Sequence, residues 1–239
     1  MKKLLEKALN VADSVDILTW KSRVLPVQFQ DHRFEGVTFT DSYNVALRII
    51  KDGKLGTSYG DSLESRDTLI EQAVKSAKYG DNVEYDFSHE PIRPLNFENY
   101  DGSVTEQSLD AIASETLELV DFFKKNGVDS TVRAGATMMT TDIRFLNSKG
   151  IEGKSRRSLF NWFSMLVLPG SGIGPIGFKM SHTRIPFPEE KKATMLEDYK
   201  HGLKQTGVPT RRMKLLAAPV SWTMFKWRFE RAVSAQSLC

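Results

Sequence analysis

The sequence has few of the residues that most catalytic and metal sites need. Its 239 residues include one cysteine, Cys239, at the last position, so it offers neither an intrachain disulfide nor a cysteine-based zinc site. No two of its four histidines have the spacing of metal ligands; they are His32, His89, His182 and His201. No apolar run is long enough to span a bilayer, and we expect a cytoplasmic protein with no membrane partner.

The chain also has little net charge. The formal net charge is +3, and acidic and basic residues alternate along the chain, whereas nucleic-acid binders cluster their basic residues. Lys154, Arg156 and Arg157 precede Phe160 and Trp162 and resemble a weak nucleic-acid patch. A basic strand end above an aromatic core face explains them better, and we expect no nucleic-acid partner.

The catalytic motifs that the sequence suggests are incomplete or absent. His89-Glu90 begins like the zinc-protease motif H-E-x-x-H, but Pro91 follows and Arg93 stands at the place of the second ligand. Neither a G-x-S-x-G elbow nor a Walker A lysine is present. The sequence therefore assigns no catalytic, cofactor-binding or metal-binding residue.

One glycine-rich stretch matches the dinucleotide-binding pattern G-x-G-x-x-G at Gly172, Gly174 and Gly177. That pattern binds a pyrophosphate only between a strand and the N-terminus of a helix. A strand pattern precedes it, but the alternating segment 178–188 that follows predicts another strand, and Pro175 removes a backbone donor. We interpret the stretch as a hairpin connection.

The first predicted unit spans residues 1–80. Residues 2–13 have helical periodicity, residues 15–61 read as a meander of about four strands, and residues 65–79 read as a second helix. Asp52-Gly53 is the strongest hairpin signal in the chain. This order predicts an antiparallel sheet with two helices on one face.

The second predicted unit spans residues 103–212, after a linker at 81–102 that contains prolines and lacks periodicity. Ser103 and Glu106 form a capping-box pattern before a helix that Asn126-Gly127 closes. Three strand-like runs follow before the glycine stretch, and a helix begins after Pro188. The fold class is therefore α+β, with a second antiparallel-sheet-plus-helices unit after the first. Residues 213–239 contain an aromatic helical segment.

Several segments, in this order, resemble the TldD/PmbA family, whose members are also called modulators of DNA gyrase. The first is "VALRIIKDGKLGTSYGDSLESRDTLIEQAVKSAKYG", with Arg48, Asp52-Gly53 and Gly56. The second is "FENYDGSVTEQSLDAIASETLELVDFFKKNGVD", similar to the start of the family's central domain. The third and fourth are "RFLNSKGIEGKSRRSLFNWFSMLV" and "LLAAPVSWTMFKWRFERAVSAQ"; the latter resembles the entry to the C-terminal domain.

The resemblance implies a role in peptide processing by a metallopeptidase system. Members of the TldD branch carry a zinc motif in their C-terminal half, and the PmbA branch, also called TldE, lacks it and pairs with TldD. No zinc ligand of the family maps onto this chain, so the chain is expected to hold no cofactor itself, and whether it is an enzyme stays open. We expect the N-terminal and central parts of such a protein, a fragment or truncated product that stops early in the C-terminal domain.

Two functional hypotheses follow. The chain is a PmbA/TldE-like component that lines a peptide cleft or supports pairing with a TldD/TldE-type subunit or a second copy. Alternatively, it is a non-catalytic scaffold or binding protein that has lost the peptidase half. A nucleotide-binding enzyme would rest on the glycine stretch alone.

Overall fold

The computed structural model describes residues 1–36, 38–90, 98–204, 210, 212, 214 and 219–232, and it divides into a compact unit of residues 1–204 and a second unit of residues 205–239. Within the described ranges, seven strands form one antiparallel sheet in the order β4-β3-β1-β5-β6-β7, and β2 pairs with the end of β1. The α+β class is therefore confirmed.

The first half of the sheet has the predicted meander. Its elements are α1 (Lys2–Leu9), β1 (Ser14–Gln30), β2 (Arg33–Gly36), β3 (Thr40–Lys51), β4 (Lys54–Gly60) and α2 (Arg66–Lys78). Asp52 and Gly53 both have positive φ, at 51° and 72°, as the tight β3–β4 hairpin requires. α1 and α2 pack on one face of the sheet, where a core cluster joins Leu4 and Leu69 to Ile17.

The second half continues the same sheet. Its elements are a 3₁₀ turn (Gly102–Glu106), α3 (Leu109–Lys125), β5 (Val132–Asn147), β6 (Glu152–Leu166), β7 (Ile176–Ser181) and α4 (Glu189–Gly202). A second core cluster packs α3 and α4 on the sheet and contains Phe123, Phe160, Trp162 and Met195.

The strands of the two predicted units join through β1, which the sequence did not reveal. β1 has 17 residues and pairs with β3 on one side and with β5 on the other, from Asp16–Asn147 to Gln30–Arg133. The compact unit therefore runs through the linker at 81–102 instead of dividing there. As boundaries of family domains, residues 1–80, 81–102, 103–212 and 213–239 stay predictions.

Two local expectations were wrong. The capping box does not start α3: Ser103 lies in the 3₁₀ turn, and Ser108 is the N-cap, whose side chain accepts a hydrogen bond from the Ala111 amide at 3.3 Å. The first two of the three strand-like runs form one strand, β5, because Thr140 and Thr141 continue its pairing with β1.

Both core clusters lie on the same face of the sheet, because Val15, Ile17, Val27 and Phe29 all occupy odd positions of β1 and side chains alternate along a strand. We call this side the helix face and the opposite side the open face. On the helix face, α1 and α2 cover the first residues of β1, and α3 covers its last residues. The middle residues Thr19, Lys21 and Arg23 lie between them.

The second unit contains α5 (Pro219–Ala232), which carries the predicted aromatic segment. Trp222, Phe225, Trp227 and Phe229 are each more than half exposed, and the rings of Trp222 and Phe225 lie 5.7 Å apart. No helix in the described ranges is long and apolar enough to cross a membrane.

Candidate functional site

A groove crosses the helix face between the two groups of helices. Its cavity has a volume of about 900 Å³, and its lining includes Thr19, Lys21, Tyr43, Asp142, Arg144 and Lys154. The strand register brings these residues together, since Thr19, Arg144 and Lys154 form one row across β1, β5 and β6, and Tyr43, Lys21 and Asp142 form the next. We call this cavity the charged groove.

Some of the charges in and beside the groove are paired. The carboxylate of Asp41 lies 3.5 Å from Lys21 Nζ and 3.9 Å from Arg23 Nη2. Arg156 donates to Asp142 at 2.6 Å, and its guanidinium lies 4.1 Å from the centre of the Tyr100 ring. These contacts fix the orientation of the side chains along the groove.

Arg144 and Lys154 differ from their neighbours. They face each other directly in the β5–β6 register, both are exposed, and within the described part of the chain neither has a carboxylate at ion-pair distance. Like charges directly opposite each other on neighbouring strands destabilise a sheet. The groove therefore holds two neighbouring cations without ion-pair partners, although Asp142 and Glu152 line the same cavity.

A second cleft lies between α3 and the segment that joins β7 to α4. Its volume is about 660 Å³. Arg184 pairs with Glu115 across it, Lys192 donates to Glu189 at 2.6 Å, and the Trp162 indole donates to the Ile185 carbonyl at 2.7 Å. Because these groups pair with one another, we interpret their contacts as structural ones that hold α3 and the segment before α4 together.

The open face carries a stripe of apolar side chains, and no helix in the described ranges packs on it. Register pairs along the stripe are Leu18–Phe145, Trp20–Ile143, Val24–Met139, Met139–Leu159 and Phe163–Phe178. Leu18 and Phe163 are each 37% exposed, and Met180, on the same face of β7 as Phe178, is 56% exposed. An apolar stripe of this kind is typical of a protein–protein contact surface.

One end of the open face is covered by the connector after α2. The Arg48 guanidinium pairs with the buried carboxylate of Asp16 and lies 5.3 Å from the centre of the Phe87 ring. The side-chain amide of Asn147 donates to the Ser88 carbonyl at 2.8 Å. Burial raises the pKa of Asp16, although the paired guanidinium of Arg48 acts in the opposite direction.

The glycine stretch is a hairpin connection, as predicted, because β7 follows it. Gly170 and Gly172 have φ of 79° and 71°. A Cβ on Gly174 would lie 2.0 Å from the Leu166 carbonyl oxygen, and one on Gly177 would lie 2.4 Å from Met195 Sδ. The pattern G-x-G-x-x-G thus arises here from turn geometry and close packing.

The histidines lie apart from one another. His32 is exposed in the β1–β2 turn and bonds Asp121 at 2.7 Å, and the His182 carbonyl accepts from the Ser158 hydroxyl at 2.5 Å. His89 is exposed in the connector, while Pro91 and Arg93 lie outside the described residues. In the ranges that the structure describes, no three His, Cys, Asp or Glu side chains form a group that could hold a metal ion.

Comparisons with known proteins support the resemblance found in the sequence. Residues 21–77 match the family profile described as PmbA/TldA metallopeptidase domain 1. This segment is therefore similar to the first domain of the PmbA/TldD family. No curated protein matches the sequence.

Solved structures have the same fold over most of the chain. TldE from Thermococcus kodakarensis is similar with a TM-score of 0.72 and 19% identity, over 84% of this chain and 47% of that one. A candidate modulator of a DNA gyrase from Thermotoga maritima has a TM-score of 0.68 and 18% identity, over 87% of this chain and 50% of that one. A candidate modulator of DNA gyrase from Bacteroides thetaiotaomicron has a TM-score of 0.63 and 15% identity, over 87% of this chain and 51% of that one. The chain spans about half the length of these structures.

Several residues of the segment that resembles PmbA/TldD domain 1 have packing roles in the structure. A Cβ on Gly56 would lie 2.2 Å from the Ala73 carbonyl oxygen, so this glycine lets α2 pack directly on β4. The Ser58 hydroxyl donates to the Leu69 carbonyl at 2.7 Å, and Ser76 accepts from the Thr57 amide at 3.2 Å. Arg48 holds the connector. The segment therefore forms a packing unit.

The charged groove is the feature that the sequence did not indicate. Its cations come from β1, β5 and β6, and only the register of a continuous sheet brings them together. Of the basic group at 154–157, Lys154 and Arg156 lie on the helix face in line with the buried Phe160 and Trp162, whereas Arg157 lies on the open face. A basic strand end above an aromatic core is thus what the structure contains.

Proposed function

We propose that this chain is the N-terminal and central part of a TldD/PmbA-type metallopeptidase system in the cytoplasm, where it acts in peptide processing as the non-zinc, PmbA/TldE-like partner. The observation that carries the proposal is the match of residues 21–77 to domain 1, extended by the likeness to TldE over 84% of the chain. Zinc and hydrolysis would come from a TldD-type partner. No step is assigned here to a metal.

The open face supports a role in subunit pairing. Its stripe runs across β1, β5, β6 and β7 and places large apolar side chains in contact with solvent. Burial of such side chains against a partner contributes roughly 25 cal/mol for each Å² of apolar surface. A TldD-type subunit is the occupant that the family resemblance favours.

The charged groove supports a role in lining the path of a peptide. It is open, it lies between two helix groups, and its walls offer charged side chains of both signs together with the Tyr43 hydroxyl. An extended peptide needs donors and acceptors along its length and room for its side chains. No nucleic-acid or membrane partner is proposed.

The alternative is a non-catalytic scaffold, and the same open face favours it if the face closes on a second copy of this chain. The two functions predict different complexes. A PmbA/TldE-like component forms a mixed complex with a TldD-type subunit, whereas a scaffold of this kind forms a homodimer whether or not that subunit is present.

Pairing can be tested by mixing the full chain with a zinc-bearing TldD-type subunit and measuring complex mass by chromatography with light scattering. Leu18→Lys and Phe163→Lys each place a charge on the open face. We expect each to weaken the mixed complex about tenfold or more, because an ammonium group would be buried without a partner.

Tyr79→Lys is the matched control, since Tyr79 is 92% exposed at the end of α2. It should pair as the unchanged chain does, and circular dichroism should show that all variants fold. Absence of a mixed complex with the unchanged chain, or equal weakening by Tyr79→Lys, would contradict the proposal. A homodimer of constant mass that Leu18→Lys and Phe163→Lys disrupt would favour the scaffold.

A further inference from the structure

We infer that Arg144 and Lys154 in the charged groove bind the carboxylates of an acidic peptide segment. The inference rests on the proposed function and deepens it, because it names the side-chain chemistry of the peptide. The one observation behind it is the register that sets two cations face to face inside a cavity of about 900 Å³.

The first argument is electrostatic. A sheet gains nothing from an Arg144–Lys154 pair in direct register, because the two charges repel. Three other cations of β1 and β6 on this face have partners: Asp41 lies at ion-pair distance from Lys21 and Arg23, and Asp142 accepts from Arg156. An anion that bridges Arg144 and Lys154 would turn the repulsive contact into two charge-assisted hydrogen bonds.

The second argument concerns the remaining wall of the groove. Thr19 lies in the same row as Arg144 and Lys154, and Tyr43 lies in the next row beside Lys21. Thr19 is buried and its hydroxyl donates to Met1 Sδ, so the hydroxyl that can donate to or accept from the backbone of a bound chain is that of Tyr43. The guanidinium of Arg144 has the planar fork that binds a carboxylate through two parallel hydrogen bonds.

The signs of the lining charges favour a peptide over a nucleic acid. Asp142 and Glu152 line the same cavity. They would repel the continuous phosphates of an oligonucleotide, but they can accept the backbone N–H groups of a peptide while the cations hold its carboxylates. An acidic peptide thus matches both sets of groups.

The direct test is fluorescence anisotropy of a labelled peptide of alternating Gly and Glu, titrated with the full chain at low salt. The matched probe replaces every Glu by Gln. We expect saturable binding of the Glu peptide only, and a loss of about tenfold in affinity for either Arg144→Gln or Lys154→Gln. Added salt should weaken the binding further.

Matched controls exist on the same two strands. Arg133 on β5 and Arg157 on β6 are exposed and lie on the open face. Arg133→Gln and Arg157→Gln make the same change in charge, so they should leave the affinity within about twofold of the unchanged chain. Equal losses in these controls would mean that net charge alone is responsible, and would overturn the inference.

Lys154→Glu separates binding from folding. It places a carboxylate opposite Arg144 and creates a cross-strand ion pair in a row where the described structure has none. We expect its melting temperature to rise and its binding of the Glu peptide to be lost. A melting temperature that falls, or binding that persists, would contradict the role of this pair.

Two further outcomes overturn the inference without touching the subunit-pairing proposal. One is equal affinity for the Glu and Gln peptides, or no binding of either, while the mixed complex still forms. The other is tighter binding of a labelled single-stranded oligonucleotide than of the Glu peptide. Failure of the mixed complex with retained binding of the Glu peptide would instead contradict the pairing and leave the groove assignment standing.

Discussion

At the residue scale, glycines set how closely the elements of this fold approach one another. Gly56 lies under Ala73 of α2, and Gly177 lies under Met195 of α4. Both are positions where any side chain would meet atoms of a packed helix. The residues that resemble a cofactor motif thus have a packing role, which explains why the spacing alone misleads.

Gly177→Ala should destabilise the compact unit by about 1–3 kcal/mol, because the added Cβ would lie 2.4 Å from Met195 Sδ and 3.0 Å from Phe187 Cζ. Urea unfolding followed by circular dichroism measures the change. Met195→Ala also removes packing, but in the double variant it makes room for the new methyl group. The sum of the stability losses of the two single variants should therefore exceed the stability loss of the double variant. Strict additivity would contradict the contact.

A second residue-scale feature is Asp31, which ties three elements together. Its carboxylate accepts from the Val132 amide and from Lys124 Nζ, each at 2.8 Å. Partial burial acts to raise the pKa of Asp31, but these two donors outweigh it and hold the pKa below its usual range. The turn after β1 is thereby fastened to α3 and β5.

Asp31→Asn should lower the free energy of unfolding at neutral pH by about 1 kcal/mol, since solvent screens the ion pair. A lowered pKa in the folded state means that the unfolded state binds protons first as the pH falls, so the contribution disappears below a pH of about 4. The difference between the two proteins should shrink through that range in urea titrations at several pH values. A difference that is constant with pH would show that the charge has no part in it.

At the element scale, the connector between α2 and the 3₁₀ turn combines irregular backbone with a few strong attachments. Phe87 is buried under the Arg48 guanidinium, and Lys149 pairs with Asp86. Farther on, Asn99 accepts from the Ser158 amide at 3.0 Å, and Tyr100 lies against Arg156. The connector is therefore attached at both ends to the sheet that it crosses.

Limited proteolysis should cut residues 81–101 first, because this segment has few backbone hydrogen bonds and lacks a regular element in its described part. Phe87→Ala should accelerate the cut severalfold, since it removes the buried ring beneath Arg48. Tyr85→Ala, at an exposed position of the same segment, should leave the rate unchanged. Earlier cuts within 43–59 would contradict this order. Mass spectrometry of the fragments locates the cuts.

Local signals predicted most elements correctly, and long-range pairing caused the errors. Asp52-Gly53 and the periodicity of α2 and α3 are short-range patterns, so the hairpin and helices were predictable. β5 was divided in two because Thr140, Thr141 and Asp142 resemble a turn. In the structure, Thr141 bonds Ser22 across the open face at 3.2 Å, and Asp142 pairs with Arg156. The partners that make those polar residues suitable for a strand lie on other strands.

The groove was unpredictable for the same reason. Thr19 and Arg144 are far apart in the sequence, and a shift of one residue in the register would move Arg144 to the open face. The absence of recognisable catalytic motifs was readable from the sequence. The family resemblance was readable too, because its signature is a local packing unit.

At the scale of the whole molecule, residues 1–204 form one compact unit and α5 belongs to the second unit. α5 exposes four large aromatic side chains within about two turns, at 222, 225, 227 and 229. A patch of this size on a protein surface is typical of an interface. We therefore expect the full chain to self-associate through this helix.

Deletion after Gly207 should reduce self-association and leave the compact unit folded. Light scattering over a range of concentrations gives the mass, and thermal melting reports on the fold. Phe225→Ser in the full chain is a milder change that should lower the mass in the same direction. A full chain that is monomeric at all concentrations, or a shortened chain that unfolds, would contradict this expectation.

The length and central position of β1 have a consequence for synthesis on the ribosome. One edge of β1 can pair as soon as β3 ends at Lys51, but its other edge waits for β5, which ends at Asn147. At about 5–20 residues per second, this interval lasts on the order of 5–20 s. During that time the nascent chain presents an unpaired strand edge to its neighbours. Lys21 and Arg23 lie in the middle of that edge, and charged side chains disfavour pairing with other chains. We therefore expect them to protect the nascent protein from aggregation until β5 has been made.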